Sequence, residues 1–389
     1  MTTKTIHRLK ITNYKSIDSL ELEGLSPFTV FAGPNGSGKS NFFDALDFVS
    51  LFVRGGLEAA LRAHGGFANI HAEKRRAEHA GEFGFKIECD LPESEQADEG
   101  KLFRFHYSLT IHTLDQESPD IEEHMSRNGA PFLTRKKGGK LVIQGPEDPD
   151  PWPDRFLNSF PKTYSALLFF SKLPLARLLQ NIGLYRIDPI GAKAPDPSNS
   201  DRTKLNKRGH NLARVLSRLE RDEQVRETIL EWMETIVPGL EKIQTEQGQL
   251  ENETAISFKE QGIERRFPAH MVSDGTVYAL SLLVAVLDLP LHGLTLIEEP
   301  ERGLHPAAIR ELIGLMQGQA TPRNPIWLTT HSESVVRGLR PEELILVDKV
   351  DGRTRMKPAA AGGLTLDDLA PLGLDEAWLS NLLDGGLPW

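Results

Sequence analysis

The sequence predicts an α/β protein organised on a parallel sheet. Three observations predict it: a short apolar strand running into a glycine-rich loop and a helix, a second apolar strand ending in paired acids, and helix–strand alternation from Ser273 onward. The glycine loop lies near the N-terminus and the alternation near the C-terminus, so both must contribute to one sheet. The residues between them are read as an insertion.

Phe28 to Ala32 is apolar and β-rich, as a buried strand requires. The next eight residues, Gly33, Pro34, Asn35, Gly36, Ser37, Gly38, Lys39 and Ser40, match G-x-x-x-x-G-K-[ST] in full. Asn41 follows, and then Phe42, Phe43, Leu46, Val49, Leu51 and Phe52 form the apolar positions of a helix. Glycines let successive N–H groups turn inward on an anion, and the start of the helix adds its positive end. In that setting Lys39 neutralises the outer phosphates of a nucleotide and the Ser40 hydroxyl reaches Mg²⁺.

Ile6, Leu9 and Ile11, then Leu20 and Leu22, mark two strands before the loop. Leu57 to Ala63 reads as a second short helix closed by His64-Gly65-Gly66. Phe83, Phe85 and Ile87 alternate with polar neighbours, as do Phe103, Phe105, Tyr107 and Leu109, which predicts an antiparallel sheet continued through Ile121 and Leu141-Val142-Ile143. An acidic turn from Pro92 to Gly100 separates its first two strands, and the proline-rich stretch from Gly145 to Pro153 is a boundary. Leu167 to Leu179 has helical spacing, and Asp188 to Asp201 reads as a loop. Helices fit Asn211 to Leu219 and Gln224 to Ile236, stopped by Pro238-Gly239, with strands around Ile243 and at Ile256 to Phe258.

From Ser273 the order is helix to Leu287, strand Leu294 to Ile297, helix Pro306 to Met316, strand Ile326 to Thr329, helix Glu333 to Leu339 and strand Leu344 to Val347. The expected division is an N-terminal part of the phosphate-loop lobe (1–75), an antiparallel β subdomain (76–150), an inserted and mostly helical lobe (151–268), the C-terminal part of the first lobe (269–350) and a tail (351–389).

The chain has 389 residues, 39% hydrophobic and 26% charged, which fits a globular protein with a sizeable core. No basic-plus-apolar leader opens it, and the longest apolar stretch, Val277 to Leu289, is too short to span a bilayer. A single cysteine, Cys89, rules out an internal disulfide, fits a reducing cytoplasm and reads as a strand core residue. A net charge of −10 argues against whole-molecule attraction to nucleic acid. The basic segments at Arg135 to Lys140 and Arg202 to Arg218 read as solvated faces in preference to a phosphate-binding patch.

The strand Leu294 to Ile297 ends in Glu298-Glu299-Pro300. Acids at the carboxyl end of a parallel strand sit where ligands bind, and Pro300 bends the chain so that both can face the site. Glu298 is expected to hold Mg²⁺ through water, and Glu299 to orient or deprotonate an attacking water. Another buried strand ends in Thr329-Thr330-His331-Ser332, where His331 can donate to a γ-phosphate. Ser273-Asp274-Gly275-Thr276 opens the most apolar helix, and its hydroxyl and first N–H groups offer a second anion site.

In that order, GPNGSGKSN, SDGT, LTLIEEPERGLHP and TTHS resemble the ABC-type ATPase heads. The chain is similar to the SMC and RecF-like branch, nearest to small bacterial AAA-family ATPases without coiled-coil arms. The resemblance covers about residues 4–75 and 268–348. It implies a P-loop NTPase fold of ABC-ATPase type, with an antiparallel β subdomain and an inserted helical and β lobe. It also implies ATP and Mg²⁺ at a composite site, where two heads sandwich two nucleotides. Ser273 and Gly275 of one head would grip the γ-phosphate held by Lys39 of the other, and Arg302 to His305 would lie on that interface. The chain departs from the family at Glu298, where an Asp is usual. No clear counterpart of the glutamine loop is present, so Asn69 to Arg76 is a candidate by position only.

The implied activity is ATP hydrolysis by a homodimeric switch, the ATPase subunit of an anti-phage defence or DNA-repair and maintenance system. A protein effector is a possible partner, DNA another, and a membrane is not. OLD-type nucleases add a C-terminal acidic domain, for which the roughly 40 residues after Val347 are too few. The alternatives are a monomeric P-loop kinase, which has no need of Ser273 or His331, and a nucleotide-binding scaffold with little hydrolysis.

Overall fold

The computed structural model describes residues 6–70, 82–92, 102–112, 119–138, 140–144, 153, 157, 159–197, 199–248, 253–288, 293–362 and 372–387. Two sheets carry the site. The first is antiparallel and contains β1 (Ile6–Tyr14), β2 (Ile17–Glu23), β4 (Phe83–Pro92), β5 (Leu102–His112), β6 (Asp120–Arg127), β7 (Ala130–Arg135) and β8 (Leu141–Ile143), in the order β2-β1-β4-β5-β6-β7-β8. Phe83, Phe85, Ile87 and Cys89 on β4 and Phe103, Phe105, Tyr107 and Leu109 on β5 are all buried, as period-two patterning requires. Burial raises the thiol pKa of Cys89.

The second sheet has the order β16-β15-β3-β14-β13-β9. Strands β9 (Ile182–Tyr185), β13 (Leu294–Glu298), β14 (Ile326–Thr330), β3 (Phe28–Ala32) and β15 (Leu344–Val350) pair in parallel, and β16 (Arg353–Pro358) closes one edge antiparallel. The N-terminal and C-terminal parts of the chain therefore share one sheet, with β3 between β14 and β15. Both faces of this sheet are covered. Phe31 packs with the phosphate-loop helix Lys39–Ala63 and the antiparallel sheet, while Phe28, Val30 and Ala32 pack with the helices Asp274–Leu287 and Pro306–Gln319. A third sheet, β10 (Leu240–Gln247), β11 (Thr254–Glu260) and β12 (Phe267–Pro268), sits with the helices Leu212–Leu219 and Glu223–Ile236.

Several expectations are corrected. The helix expected over Leu167 to Leu179 is a 3₁₀ turn, Ala166–Phe170, followed by a separate helix Pro174–Gln180, because Pro174 lacks the N–H that would continue the turn. The helix expected to reach Leu339 stops at Val336. The second helix expected over Leu57 to Ala63 is present, set off by a break at Gly56, whose φ of 81° is left-handed. Strands β7, β9, β12 and β16 were not foreseen. β1 and β2 join the antiparallel sheet rather than the phosphate-loop sheet, and β9 reaches the parallel sheet from within 151–268. The segment read as a tail contributes β16 and the helix Leu374–Leu379, with Trp378 fully buried and its indole N–H on Gly386 O at 2.6 Å. The acidic turn at 93–101 and most of the Gly145 to Pro153 boundary lie outside the described residues.

Candidate functional site

The glycine loop spans the carboxyl ends of three strands. Gly33 N–H donates to Thr330 O of β14 at 3.3 Å, and a Cβ on Gly33 would lie 2.1 Å from Val347 O of β15, so only glycine fits between them. Gly36 and Gly38 have φ of 77° and 104°, in the left-handed region open to glycine. Asn35, Gly36 and Ser40 are exposed at the mouth, and Pro34 is half-buried. Lys39 is 7% exposed, and its Nζ donates to Gly33 O at 2.7 Å and Pro34 O at 2.9 Å. Burial lowers its pKa, against which Glu299, Glu301 and Glu298 hold the charge on.

A layer beneath the loop supports it. Thr354 Oγ1 on β16 donates to Ser37 O at 3.0 Å and lies 2.7 Å from Ser16 Oγ. Asn41, expected at the nucleotide, directs its Nδ2 to Ser16 Oγ at 2.6 Å. Its side chain thus serves the support of the loop.

The acids separate by environment. Glu298 ends β13 and is gripped by Arg186, which donates from Nε to Oε2 at 2.8 Å and from Nη2 to Oε1 at 2.7 Å. Arg186 also lies 2.9 Å from Asp44 Oδ1, and Lys15 lies 2.6 Å from Asp44 Oδ2. Burial opposes the charge on Arg186, but its bonds to Glu298 and Asp44 raise its pKa overall. Glu299 is non-glycine backbone at φ 51°, a strained turn, and its side chain is 46% exposed where that of Glu298 is 13% exposed. His331 Nδ1 lies 3.7 Å from Glu299 Oε1. Lys39, Glu298, Glu299 and His331 thus gather at adjoining strand ends.

Three residues not singled out from sequence belong to this cluster. Arg186 is one. Glu301 is the second: its Oε1 accepts from Thr330 Oγ1 at 2.6 Å and from His331 N at 3.3 Å, while its buried Oε2 has no partner among the described residues. Burial raises its pKa, against the pull of those bonds. The third is Tyr278, whose buried hydroxyl donates to Glu299 O at 2.7 Å and lies 3.3 Å from Glu298 O. Tyr278 sits on the helix that Ser273 caps, so that helix is fastened to the acidic strand.

Ser273 is exposed; its Oγ accepts from Thr276 N at 3.1 Å and lies 2.8 Å from Thr276 Oγ1. A Cβ on Gly275 would stand 2.6 Å from Gly303 O, so the Ser273 loop and the Arg302 to His305 loop lie together on one surface. His305 caps the helix Pro306–Gln319 through Nδ1, which accepts from Ala307 N. The positional candidate for the glutamine loop falls mostly outside the described residues, beyond Ile70.

An anion cradle flanked by a buried lysine, a hydroxyl at a helix start and strand-end carboxylates defines a P-loop ATPase head of ABC type. Comparison with known proteins agrees. Residues 28–337 match the AAA_21 family, described as "AAA domain, putative AbiEii toxin, Type IV TA system", and the chain belongs to that family. Its fold is similar to a crystal structure of an SMC head bound to the C-winged helix domain of ScpA. That likeness has a TM-score of 0.57 at 16% identity, over 91% of this chain and 97% of the other. An SMC head from Pyrococcus furiosus bound to the C-terminal domain of ScpA gives 0.52 at 16% identity, over 95% and 98%. In sequence, the chain is 42% identical over 74 residues to the chromosome partition protein Smc of Methanocaldococcus jannaschii, which is 18% of this chain and 6% of that protein. It is 33% identical over 147 residues to the structural maintenance of chromosomes protein 1 of Arabidopsis thaliana, 36% and 11% respectively. The matched segments are thus small parts of these relatives. Among the described residues no helix is long and apolar enough to cross a membrane.

Proposed function

We propose that this chain binds and hydrolyses ATP as one half of a head-to-head homodimer that closes on nucleotide and opens on hydrolysis. The observation that carries the reading is the convergence of Lys39, Glu299 and His331 at adjoining strand ends. Ser273 meanwhile is exposed and, among the described residues, its hydroxyl is bonded within its own helix. On binding, Lys39 exchanges the carbonyls of Gly33 and Pro34 for phosphate oxygens. The Glu299 carboxylate takes a proton from the attacking water, whose oxygen forms a bond to the γ-phosphorus as the bond to ADP breaks. His331 donates a hydrogen bond to the γ-phosphate. Hard oxygen donors at Ser40 and Glu298 suit Mg²⁺, which supplies charge neutralisation at the phosphates when bound.

The family description, which names a toxin–antitoxin system, supports a defence role, with a protein effector as partner. The likeness to SMC heads supports DNA maintenance as the other setting, and their contact with ScpA supports a protein docking on this head as well. A nucleotide scaffold with little turnover is the second reading, favoured by Arg186 occupying both oxygens of Glu298.

The test is the solution mass of Glu299→Gln by light scattering, with and without Mg-ATP. That variant should double in mass with ATP, and adding Ser273→Arg should abolish the doubling while leaving ATP bound. A mass that does not respond to bound ATP refutes the dimer, and wild-type protein without turnover establishes the scaffold.

A further inference from the structure

We propose that the concave face lined by Arg202, Arg214, Ser217, Arg218, Arg221 and Gln247 is a binding site for a phosphate-class oxyanion. The cavity has a volume of about 240 Å³. Arg214, Ser217, Arg218 and Arg221 are spaced i, i+3, i+4 and i+7, which puts them on one side of the helix Leu212–Leu219 and the turn that follows it. Arg202 is brought in from the preceding loop, where its carbonyl accepts from Arg218 Nε at 2.8 Å. Arg214 Nε donates to Pro197 O at 3.3 Å, so both helix arginines are tethered through backbone carbonyls and their direction is fixed.

Four guanidiniums on one face repel each other, and no carboxylate among the described residues lines the cavity. Acids meet the group only from outside the lining: Asp288 accepts from Arg218 Nη2, Asp196 accepts from the Arg214 backbone N–H at 2.8 Å, and the field of Arg218 reaches Asp201, among the described residues. A cavity that presents only donors, a hydroxyl and an amide is matched by a multivalent oxyanion, and guanidinium forks fit phosphate oxygens in pairs. Read alone, the Arg202 to Arg218 segment is a run of charges suited to solvent; the fold gathers it into a concavity.

This cavity shares no lining residue with the nucleotide loop, and the proposal goes beyond the ATPase reading. Asp288 ends the helix that Ser273 begins, and 14 residues of helix set the two about 21 Å apart. The phosphate has two possible sources: the backbone of a nucleic acid, or a free phosphate ester.

The test compares Arg202→Gln/Arg221→Gln with wild type, and with Lys136→Gln/Lys137→Gln as a control of equal charge change. ADP is kept saturating so that the nucleotide loop is occupied. Binding of a labelled single-stranded 20-mer is followed by anisotropy across salt concentrations, and inorganic pyrophosphate is titrated by calorimetry. The arginine variant should bind at least about tenfold more weakly than the control. If the nucleic-acid backbone is the source, the slope of log K against log salt also falls by about 1.4, or 0.7 for each lost contact. An effect on the 20-mer alone assigns the backbone, and an effect on pyrophosphate alone assigns a small phosphate ester. If wild type binds neither probe, or the arginine variant matches the control on both, the proposal is overturned.

Discussion

Arg186 is the hinge of the site's charge balance, and its removal gives a magnitude that can be worked from the structure. It donates to both oxygens of Glu298 at 2.8 and 2.7 Å and lies 2.9 Å from Asp44. The two carboxylates are 13% and 10% exposed. Arg186→Met keeps most of the aliphatic stem and removes the charge. Asp44 then retains Lys15, but Glu298 keeps only the longer-range field of Lys39 and loses its hydrogen-bonded cation. Breaking a buried pair costs about 3–5 kcal/mol. Arg186 itself is 33% exposed, so solvent screening reduces the expected loss to about 2–3 kcal/mol. For a chain of 389 residues that is a fall of about 2–4 °C in Tm. The assay is a double-mutant cycle with Glu298→Gln, read from urea unfolding without nucleotide or metal. A coupling of about 2 kcal/mol is expected. A coupling below about 0.5 kcal/mol would show that solvent already screens the pair, and the reasoning about Glu298 would fail.

Three further outcomes follow from individual contacts. Tyr278→Phe removes the donor to Glu299 O and should lower kcat by about tenfold with ATP Kd unchanged; a variant that loses affinity instead, or turns over normally, contradicts the positioning role. Gly33→Ala forces a methyl to within 2.1 Å of Val347 O, between two strand ends that cannot yield. It should cost about 2–3 kcal/mol and abolish tight ATP binding, and normal affinity by titration would refute the packing argument. Asp196 is raised from 3.8 to about 6 by burial, against backbone bonds from Arg214 and Ala213. In the window between those values the folded state holds a proton that the unfolded state has lost, so stability falls as pH rises from about 4 to about 6. Asp196→Asn should flatten that slope by about 1–2 kcal/mol in unfolding measurements. A wild-type slope equal to that of the variant would show that Asp196 titrates normally.

The parts of the fold legible in sequence were those whose signal is local. Alternation on β4 and β5, the full phosphate-loop pattern and the serine before an apolar helix all follow from neighbours in the chain. Two misses had local signals as well. Asn128-Gly129 and Asp351-Gly352, all at positive φ, are the tight turns that join β6 to β7 and β15 to β16. β9 is different: four residues, all buried, with no alternation to read, and its partner β13 lies about 110 residues away. The same distinction governs the site. Lys39 and Glu299 stand in recognisable strings, whereas Arg186 meets Glu298 only because β9 lies beside β13, and Tyr278 looks like one more core residue on an apolar helix. The bond made by Asn41 was hidden for the same reason: its neighbours in the chain suggest the nucleotide, whereas its spatial partner Ser16 comes from the turn before β2.

Tyr278 carries the argument one step further. The helix it sits on begins at Ser273, the residue proposed to grip a neighbour's nucleotide, and its hydroxyl bonds the backbone of Glu299, the residue proposed to act on the chain's own. Gly275 packs against Gly303 in the loop just beyond Glu299, so the two segments touch at a second point. In the proposed dimer, a γ-phosphate pulling on Ser273 therefore bears on the turn at φ 51° that aims Glu299. Each head's binding of the other's nucleotide is thereby linked to the geometry of its own acid. Thermodynamic linkage makes the binding part of that coupling reciprocal. With two identical heads, occupancy of one site should change affinity at the other by a factor that Tyr278→Phe reduces toward one.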